Sequence, residues 1–345
     1  MRPIFLLRRA AALGALAVLT AVAAGPARAA DSAVILMYHR FGEDGFPSTN
    51  VRIAQFEDHI RTLTGGPYTV LPVAEIVDTL RAGRELPDRT VGITIDDAYR
   101  SVYTEAFPRL KAAGLRFTLF VATDAVDRRL PDFLTWDQVR EMRDAGNDIG
   151  AHSASHLHMT EADAATNRVE MTRSLKRLKE ELGAAPVLFA YPYGEASIAV
   201  WNVIREFGFT TGFGQHSGAA HTTSQPFYLP RFALNETYSD LESFILRVDA
   251  RALPIEDMTP EDPDLRVRNP PLVGFTVGAS IPSLQGLACY HSQFGAVDIE
   301  QLGRHRIEIR FPAPLDAGRT RLNCTKPAGQ GRWYWYGTQF YVPAE

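Results

Sequence analysis

Short apolar segments alternate with amphipathic segments through the first two thirds of the chain. Seven apolar runs have the length of buried strands: Val34–Tyr38, Val91–Ile95, Phe117–Val121, Asp148–Ala151, Val187–Ala190, Phe209–Phe213 and Leu229–Leu234. Seven segments between them repeat apolar residues at helical spacing: Ile53–Leu63, Val73–Ala82, Val102–Ala113, Trp136–Ala145, Thr166–Leu182, Ile198–Phe207 and Leu241–Val248. This alternation predicts an α/β fold with a mainly parallel sheet, and seven strands suit a barrel better than a small open sheet.

The pattern changes near Leu253. Five prolines fall among charged residues there, which predicts a linker over residues 253–270. Beyond it the helical period disappears, and five segments look like strands separated by turns: Leu272–Val277, Gly286–His291, Arg306–Phe311, Arg319–Asn323 and Arg332–Val342. We therefore predict one α/β domain over residues 30–252 and a small all-β, sandwich-like domain over residues 271–345.

The first 29 residues have the features of a secretory signal peptide. Three arginines precede an apolar stretch, Ala10–Ala24, and Ala27–Ala29 offers small residues at a cleavage site. The apolar stretch is shorter than the about 20 residues that a transmembrane helix needs, so we expect cleavage after Ala29 rather than a membrane anchor. The mature protein would then be periplasmic or secreted, with no integral membrane segment.

Charge and cysteine content narrow the class of protein further. The formal net charge is −4, which argues against a nucleic-acid partner, because phosphate binding usually leaves a basic excess. The two cysteines, Cys289 and Cys324, both lie on predicted strands of the C-terminal region. In an exported protein they are expected to form a disulfide, and the alternative is two buried thiols.

Two acidic residues, Asp96 and Asp97, directly follow the predicted strand Val91–Ile95. The carboxyl ends of parallel strands meet at one edge of a sheet, where active sites of α/β proteins lie. Adjacent acids can point in different directions, so that one binds a cation while the other acts as a base. Taken alone, the pair is equally compatible with a solvated turn or a helix cap.

Two histidines, His152 and His156, follow the predicted strand Asp148–Ala151. Their spacing suits one divalent ion, although single loop histidines are often incidental. With an acid from another strand end they give a two-histidine, one-carboxylate set that leaves room for water, as in hydrolytic metal sites. A third polar turn, Tyr191–Gly194, follows Val187–Ala190. Three such motifs at successive strand ends are hard to explain as packing.

The three motifs resemble those of the NodB-type polysaccharide deacetylases, carbohydrate esterase family four. The matching segments are Thr94–Ala98, His152–His156 and Tyr191–Gly194, where the family has T-F-D-D-G, H-[S/T]-x-x-H and R-x-P-Y-G. Met37–Arg40 and Leu134–Asp137 are similar to segments of the branch that deacetylates poly-N-acetylglucosamine in biofilms. The resemblance spans roughly residues 33–248 and implies a distorted (β/α) barrel.

The resemblance also implies an activity and a set of roles. The chain would be a metal-dependent hydrolase that removes N-acetyl groups from a polysaccharide of N-acetylglucosamine, a poly-β-1,6-linked one in the first place. The implied roles are Asp96 as general base, Asp97, His152 and His156 as ligands of one divalent ion, the backbone N–H of Tyr193 as oxyanion donor, and His39 as general acid. Zinc is the expected ion, with cobalt, nickel or iron as alternatives. His39 has the alternative reading of a hydrogen-bonded core histidine.

Two departures from the family pattern bear on the site. Ala98 replaces the glycine of the first motif, a mild change if the backbone stays in an ordinary region. Ala190 stands where the third motif has the arginine that orients the base, and Arg231 on a later strand could replace that arginine. Two alternatives therefore stay open: a deacetylase of peptidoglycan or chitin oligomers, and a non-catalytic polysaccharide-binding or export protein on the same fold.

The segment Trp333–Tyr336 is strongly aromatic. On a strand, Trp333 and Trp335 face one way, and Tyr334 and Tyr336 face the other. Because aromatic faces stack on sugar rings, Trp333 and Trp335 are candidates for carbohydrate binding. The alternative is that one face is buried in the sandwich while the other packs against the barrel.

Overall fold

The computed structural model describes residues 29–344, so the predicted signal peptide lies outside the described residues except for Ala29. The helices are α1 Ile53–Gly65, α2 Val73–Arg81, α3 Phe107–Ala112, α4 Thr123–Asp127, α5 Trp136–Asp144, α6 Ala164–Leu182, α7 Ile198–Glu206 and α8 Leu241–Val248. A π-helical turn, Val102–Ala106, precedes α3, and a 3₁₀ turn, Pro192–Gly194, precedes α7. No helix within residues 29–344 is both long and apolar enough to cross a membrane.

The strands of the first region form one large sheet. They are β1 Ser32–Tyr38, β2 Thr90–Ile95, β3 Thr118–Val121, β4 Asp148–Ala151, β5 Leu188–Ala190, β6 Thr211–Phe213, β7 Ala219–His221 and β8 Phe232–Ala233. The order across the sheet is β6-β5-β4-β3-β2-β1-β7, and β8 also pairs with β1. Pairs from β1 to β6 are parallel, and β7 is antiparallel to β1. Short strands complete the region: Ala29–Ala30 with Leu86–Pro87, Arg40–Phe41 with Asn50–Val51, and Thr69–Val70 on β2.

The segment after β7 pairs with two other strands of this sheet. Leu229 pairs with Phe213 at the end of β6, and β8 pairs with β1. The predicted strand Leu229–Leu234 is therefore present only in two short pieces. Pro230 lies between these pieces and has no backbone N–H for a strand ladder. The segment brings Arg231 into the interior, over the rings of Phe120 and Phe213 at 5.5 and 5.9 Å.

Strand β1 shows why the sheet is stable. Its alternate residues belong to two separate apolar clusters, one containing Val34 and Leu36 and the other containing Ala33 and Ile35. Alternation along a strand sends successive side chains to opposite faces, so both faces of the sheet are buried. This is the continuous apolar pattern that predicted a parallel sheet.

Three helices begin directly after a residue whose side chain caps the first turn. The side chains of Asp163, Ser197 and Asp240 accept hydrogen bonds from backbone N–H groups in the first turns of α6, α7 and α8. The seven predicted helices are confirmed to within a few residues, although the third begins as a π-helical turn. Helix α4 was not predicted, because its five residues are too few to show helical periodicity.

The C-terminal region consists of two antiparallel-rich sheets. The strands are β9 Arg251–Ala252, β10 Ile255–Thr259, β11 Leu272–Val277, β12 Ala288–His291, β13 Gly295–Val297, β14 Ile299–Leu302, β15 Arg306–Arg310, β16 Gly318–Gly329 and β17 Arg332–Val342. One sheet has the order β9-β17-β16-β12-β13, and the other β10-β11-β15-β14. Inward residues of both sheets, such as Phe275, Ile307, Leu322 and Phe340, share one apolar core. Two sheets that share one core are the packing expected of the predicted sandwich-like domain.

The predicted linker, residues 253–270, is not a simple connection. It contains β10, which pairs with β11, and Leu265 lies in the core of the sandwich. In addition, β9 lies just before the predicted boundary yet pairs with β17. Sequence reasoning missed these strands because prolines and charges interrupt the alternating pattern around them. Ala252, the last residue of the predicted first domain, thus pairs within the C-terminal sheet, and the domain bounds stay a prediction.

Cys289 and Cys324 form a disulfide in the structure. The two residues lie directly opposite each other on β12 and β16. The aromatic segment divides as strand alternation requires. Trp335 packs against Phe232 of the first region with ring centroids 5.1 Å apart, whereas Tyr334 and Tyr336 contact the sandwich core. Trp333 is half-buried opposite Pro327, and a sugar-stacking role for it stays a prediction.

Candidate active site and metal centre

Four parallel strands deliver the motif residues to one edge of the sheet. His39 follows β1, Asp96 and Asp97 follow β2, His152 follows β4, and the turn Pro192–Gly194 follows β5. Strands β1, β2, β4 and β5 run parallel in one sheet, so their carboxyl ends lie at the same edge. The structure thus brings together residues that the chain separates by up to about 150 positions.

Asp97, His152 and His156 form a compact group of possible metal ligands. Their ligand atoms all lie within 4.8 Å of one another. Asp97 Oδ1 is 3.2 Å from Nε2 of each histidine, yet Asp97 Oδ1 and His152 Nε2 are buried without a hydrogen-bond partner. Zinc bonds of about 2.0–2.1 Å at tetrahedral angles place ligand atoms roughly 3.3 Å apart. The two separations of 3.2 Å between Asp97 and the histidines therefore suit ligands of one tetrahedral divalent ion.

The orientation of His152 is set by the backbone of β5. Its Nδ1 lies 2.7 Å from the carbonyl oxygen of Ala190. A carbonyl can only accept, so Nδ1 carries the proton and Nε2 presents its lone pair toward Asp97. This is the tautomer that a metal ligand needs, and the backbone acceptor is the outer support common around metal-bound histidine.

The loop that carries the two histidines is held by Glu170, a residue that sequence reasoning missed. Its Oε2 accepts hydrogen bonds from the backbone N–H groups of Ala154 and Ser155 at 3.1 and 2.8 Å. Ser155 Oγ donates to the same oxygen at 3.0 Å. Glu170 is buried on α6, between the buried residues Asn167 and Met171. An acid on the buried face of an amphipathic helix was the signal that could have identified it.

Asp96 forms a buried ion pair with Arg231. Both side chains are fully buried, and two parallel hydrogen bonds of 2.7 Å join the guanidinium to the two carboxylate oxygens. Arg231 also donates to Thr94 Oγ1 at 3.0 Å and to the Gly214 carbonyl at 2.9 Å. Burial is the strongest influence and by itself would raise the pKa of Asp96, but the charge and hydrogen bonds of Arg231, with the charges of His152 and His39, together keep that pKa below its ordinary value. Asp96 is therefore held ionised and in one orientation.

His39 lies close enough to the acids to feel their charge. Burial lowers its pKa, while the negative charges of Asp97 and Asp96 oppose that shift. As a whole residue, His39 is half-buried at the end of β1. Its assignment as general acid stays a prediction.

Positive φ angles concentrate at the motif turns. Asp97, Ala98, Ser153, His156 and Tyr193 have φ values from 60° to 73°. Such a conformation costs a residue with a Cβ on the order of 1–2 kcal/mol. The condition attached to Ala98 is therefore not met, because its backbone is left-handed where the family has glycine. Strain of this kind persists only where surrounding contacts impose it.

A cavity of about 280 Å³ opens beside the candidate ligands. Its lining includes Asp97, Tyr99, Arg128, Phe133 and His156. Burial and the charge of Asp97 raise the pKa of Tyr99 to about 12, so its hydroxyl stays protonated and able to donate. Sequence reasoning missed Tyr99, although it stands two residues after Asp97. The cavity supplies room for a substrate group at the ligand set.

Comparison with known proteins agrees with this geometry. The polysaccharide deacetylase family matches residues 83–212. YxkH of Bacillus subtilis (strain 168) is 27% identical over 186 residues, which cover 54% of this chain and 65% of that protein. The poly-beta-1,6-N-acetyl-D-glucosamine N-deacetylase of Escherichia coli (strain K12) is 25% identical over 248 residues, covering 59% of this chain and 36% of that protein. The chain thus spans less than two thirds of the length of either relative.

A solved structure shows the same fold. IcaB from Ammonifex degensii superposes with a TM-score of 0.54 at 26% sequence identity, covering 62% of this chain and 96% of that chain. The family match over residues 83–212 includes Asp96, Asp97, His152 and His156, which meet at one edge of the sheet. Sequence, fold and the arrangement of the motif residues agree: the chain carries a polysaccharide deacetylase domain of the NodB type.

Proposed function

We propose that the chain is a metal-dependent N-deacetylase of a polysaccharide that contains N-acetylglucosamine, with poly-β-1,6-N-acetylglucosamine as its substrate. The observation that carries this proposal is the ligand group Asp97, His152 and His156 beside the ionised Asp96. A protein that only binds a polysaccharide has no need of a buried, hydrogen-bond-deficient ligand set next to a fixed carboxylate. The name of the Escherichia coli relative supports the choice of polymer.

Each residue of the site has a separate role in the proposed reaction. A divalent ion held by Asp97, His152 and His156 would supply a polarised carbonyl and a more acidic water. Asp96 would accept a proton from the attacking water, and Arg231 keeps its carboxylate charged for that role. The N–H of Tyr193 would donate to the oxygen of the tetrahedral intermediate. A protonated His39 would give its proton to the departing amine, and the products are acetate and a glucosamine unit.

The zinc-loaded protein tests the proposal directly. We expect acetate release from β-1,6-linked N-acetylglucosamine oligomers, with slower release from chitin oligomers and peptidoglycan, and loss of release when a chelator removes the ion. Asp96→Asn should retain the metal and lose turnover by at least about 10²-fold, because proton transfer of this kind contributes about 10²–10⁴-fold.

Asp137→Asn is the matched control, since Asp137 is an exposed acid of the same region. It should keep wild-type turnover. Undiminished acetate release from Asp96→Asn would refute the role of Asp96. Absence of release from all three substrates by the zinc-loaded protein would refute the proposed function.

A further inference from the structure

One end of the long C-terminal hairpin reaches the candidate active site. Arg319 on β16 lies directly opposite Tyr341 on β17, and Gln339 is two residues from Tyr341 on the same strand. Directly opposed residues and residues two apart share one face of a sheet. Arg319, Gln339 and Tyr341 therefore project together, and we call these three residues the hairpin clamp.

Two members of the hairpin clamp bind the same carbonyl group. The backbone oxygen of Tyr193 accepts hydrogen bonds from Arg319 Nη1 at 3.3 Å and from Gln339 Nε2 at 3.2 Å. The side chain of Gln339 is almost fully buried. Arg319 also lies 5.4 Å from the centre of the Tyr193 ring, and its Nε is 3.6 Å from the buried carboxylate of Glu195. Side chains of the C-terminal sheet thus form hydrogen bonds to the turn that carries the expected oxyanion donor.

The third member reaches the loop of the metal ligands. The hydroxyl of Tyr341 donates to Glu161, which follows the two ligand histidines in the chain. In the same loop, His158 stacks on the Tyr193 ring at 3.8 Å, and its Nδ1 is 2.8 Å from Glu195. The hairpin clamp therefore contacts the Tyr193 turn and the loop that follows the ligand histidines, and that loop contacts the Tyr193 ring.

The conformation of Tyr193 explains why such contacts matter. Its φ of 60° and ψ of 2° are unfavourable for a residue with a side chain. Hydrogen bonds to its carbonyl fix the peptide plane on one side of the residue, which restrains ψ and keeps the strained turn from relaxing. Relaxation would rotate the N–H away from the position that the oxyanion occupies.

We propose that the hairpin clamp positions the Tyr193 turn for catalysis, so that the C-terminal sheet is a working part of the deacetylase site. This inference rests on the proposed function. Arg319, Gln339 and Tyr341 are positioning residues, because they act through the turn and not on the substrate. The C-terminal hairpin then belongs to the part of the chain that turnover requires, while the expected substrate class stays the same.

The test compares Arg319→Ala, Gln339→Met and their combination with the wild-type protein, all loaded with zinc. Acetate release is measured as kcat and KM per mole of bound zinc. We expect each single variant to lower kcat about tenfold and the combination to lower it further, with KM within about twofold, since small displacements of catalytic groups cost turnover rather than binding. Arg319→Lys should restore most of kcat, because the lysine ammonium can still donate to the Tyr193 carbonyl.

Arg304→Ala is the matched control, because Arg304 is an exposed arginine between β14 and β15. It should leave kcat unchanged. Thermal melts identify any variant with a lowered unfolding temperature. Such a variant is assayed below that temperature, so that a low kcat per bound zinc reports displacement of the Tyr193 turn and not unfolding. A combined variant with wild-type kcat per bound zinc would overturn the inference. A wild-type protein without acetate release would instead refute the proposed function.

Discussion

At the scale of single residues, the ion pair of Asp96 and Arg231 affects both the stability of the fold and the charge of the proposed base. A buried carboxylate without a partner would take up a proton or destabilise the fold. Arg231, just before β8, supplies the partner, while Ala190 occupies the position of the motif arginine. The proposed base is therefore oriented from a different part of the chain.

The first prediction concerns this pair. Arg231→Met removes the positive charge and leaves Asp96 buried and unpaired, so we expect the free energy of unfolding at pH 7 to fall by about 3–5 kcal/mol. The pKa of Asp96 should rise for the same reason. Chemical denaturation measures the loss. The double variant Asp96→Asn with Arg231→Met should recover part of it, because no unpaired charge remains. A loss below about 1 kcal/mol in the single variant would contradict the argument.

At the scale of elements, helix α6 supports the candidate metal centre without contributing a ligand. Glu170 gathers three donors of the loop between His152 and His156 on one oxygen. The positive φ of Ser153 and His156 shows that this loop is strained. A fixed acceptor beneath it keeps the two imidazoles converging on Asp97.

The second prediction follows from that support. Glu170→Ala should weaken zinc affinity by about 10–100-fold, the usual effect of removing an outer support of a metal ligand. Competition with a chromogenic chelator measures the dissociation constant. Glu180→Ala is the control, because Glu180 lies on the exposed face of the same helix. Equal affinities of the two variants would show that α6 does not position the loop.

At the scale of the whole molecule, the two regions behave as one unit around the site. Strand β9 joins the sheet of β17, Trp335 packs on Phe232, and the hairpin clamp holds the Tyr193 turn. The disulfide between Cys289 and Cys324 ties β12 to β16, the strand that carries Arg319. Covalent closure of this sheet therefore stabilises a surface that touches the candidate active site.

The third prediction concerns the disulfide. Replacing both cysteines by serine should lower the free energy of unfolding by roughly 4 kcal/mol, because the bridge spans 35 positions and restricts the unfolded chain. Urea denaturation of the oxidised wild-type protein and the variant measures the difference. The reduced wild-type protein serves as the control and should resemble the variant. Equal stability of all three forms would contradict the prediction.

The sequence by itself determined the order of strands and helices and the motif residues at the strand ends. Both are local properties of the chain, since periodicity and short motifs involve neighbouring residues. It also indicated the sandwich, although prolines hid β10. Asp97, His152 and His156 could be named because they belong to short motifs that follow recognisable strands, whereas Glu170 could not, because its role depends on which loop packs above α6.

Only the tertiary structure decided what surrounds those residues. Arg231 meets Asp96 across 135 positions of the chain, and Arg319 meets Tyr193 across 126. Contacts of that kind depend on how separate elements pack, and no local pattern encodes them. For the same physical reason the sequence left Arg231 as one candidate for orienting the base, and gave no sign that the C-terminal hairpin would reach the turn of Tyr193.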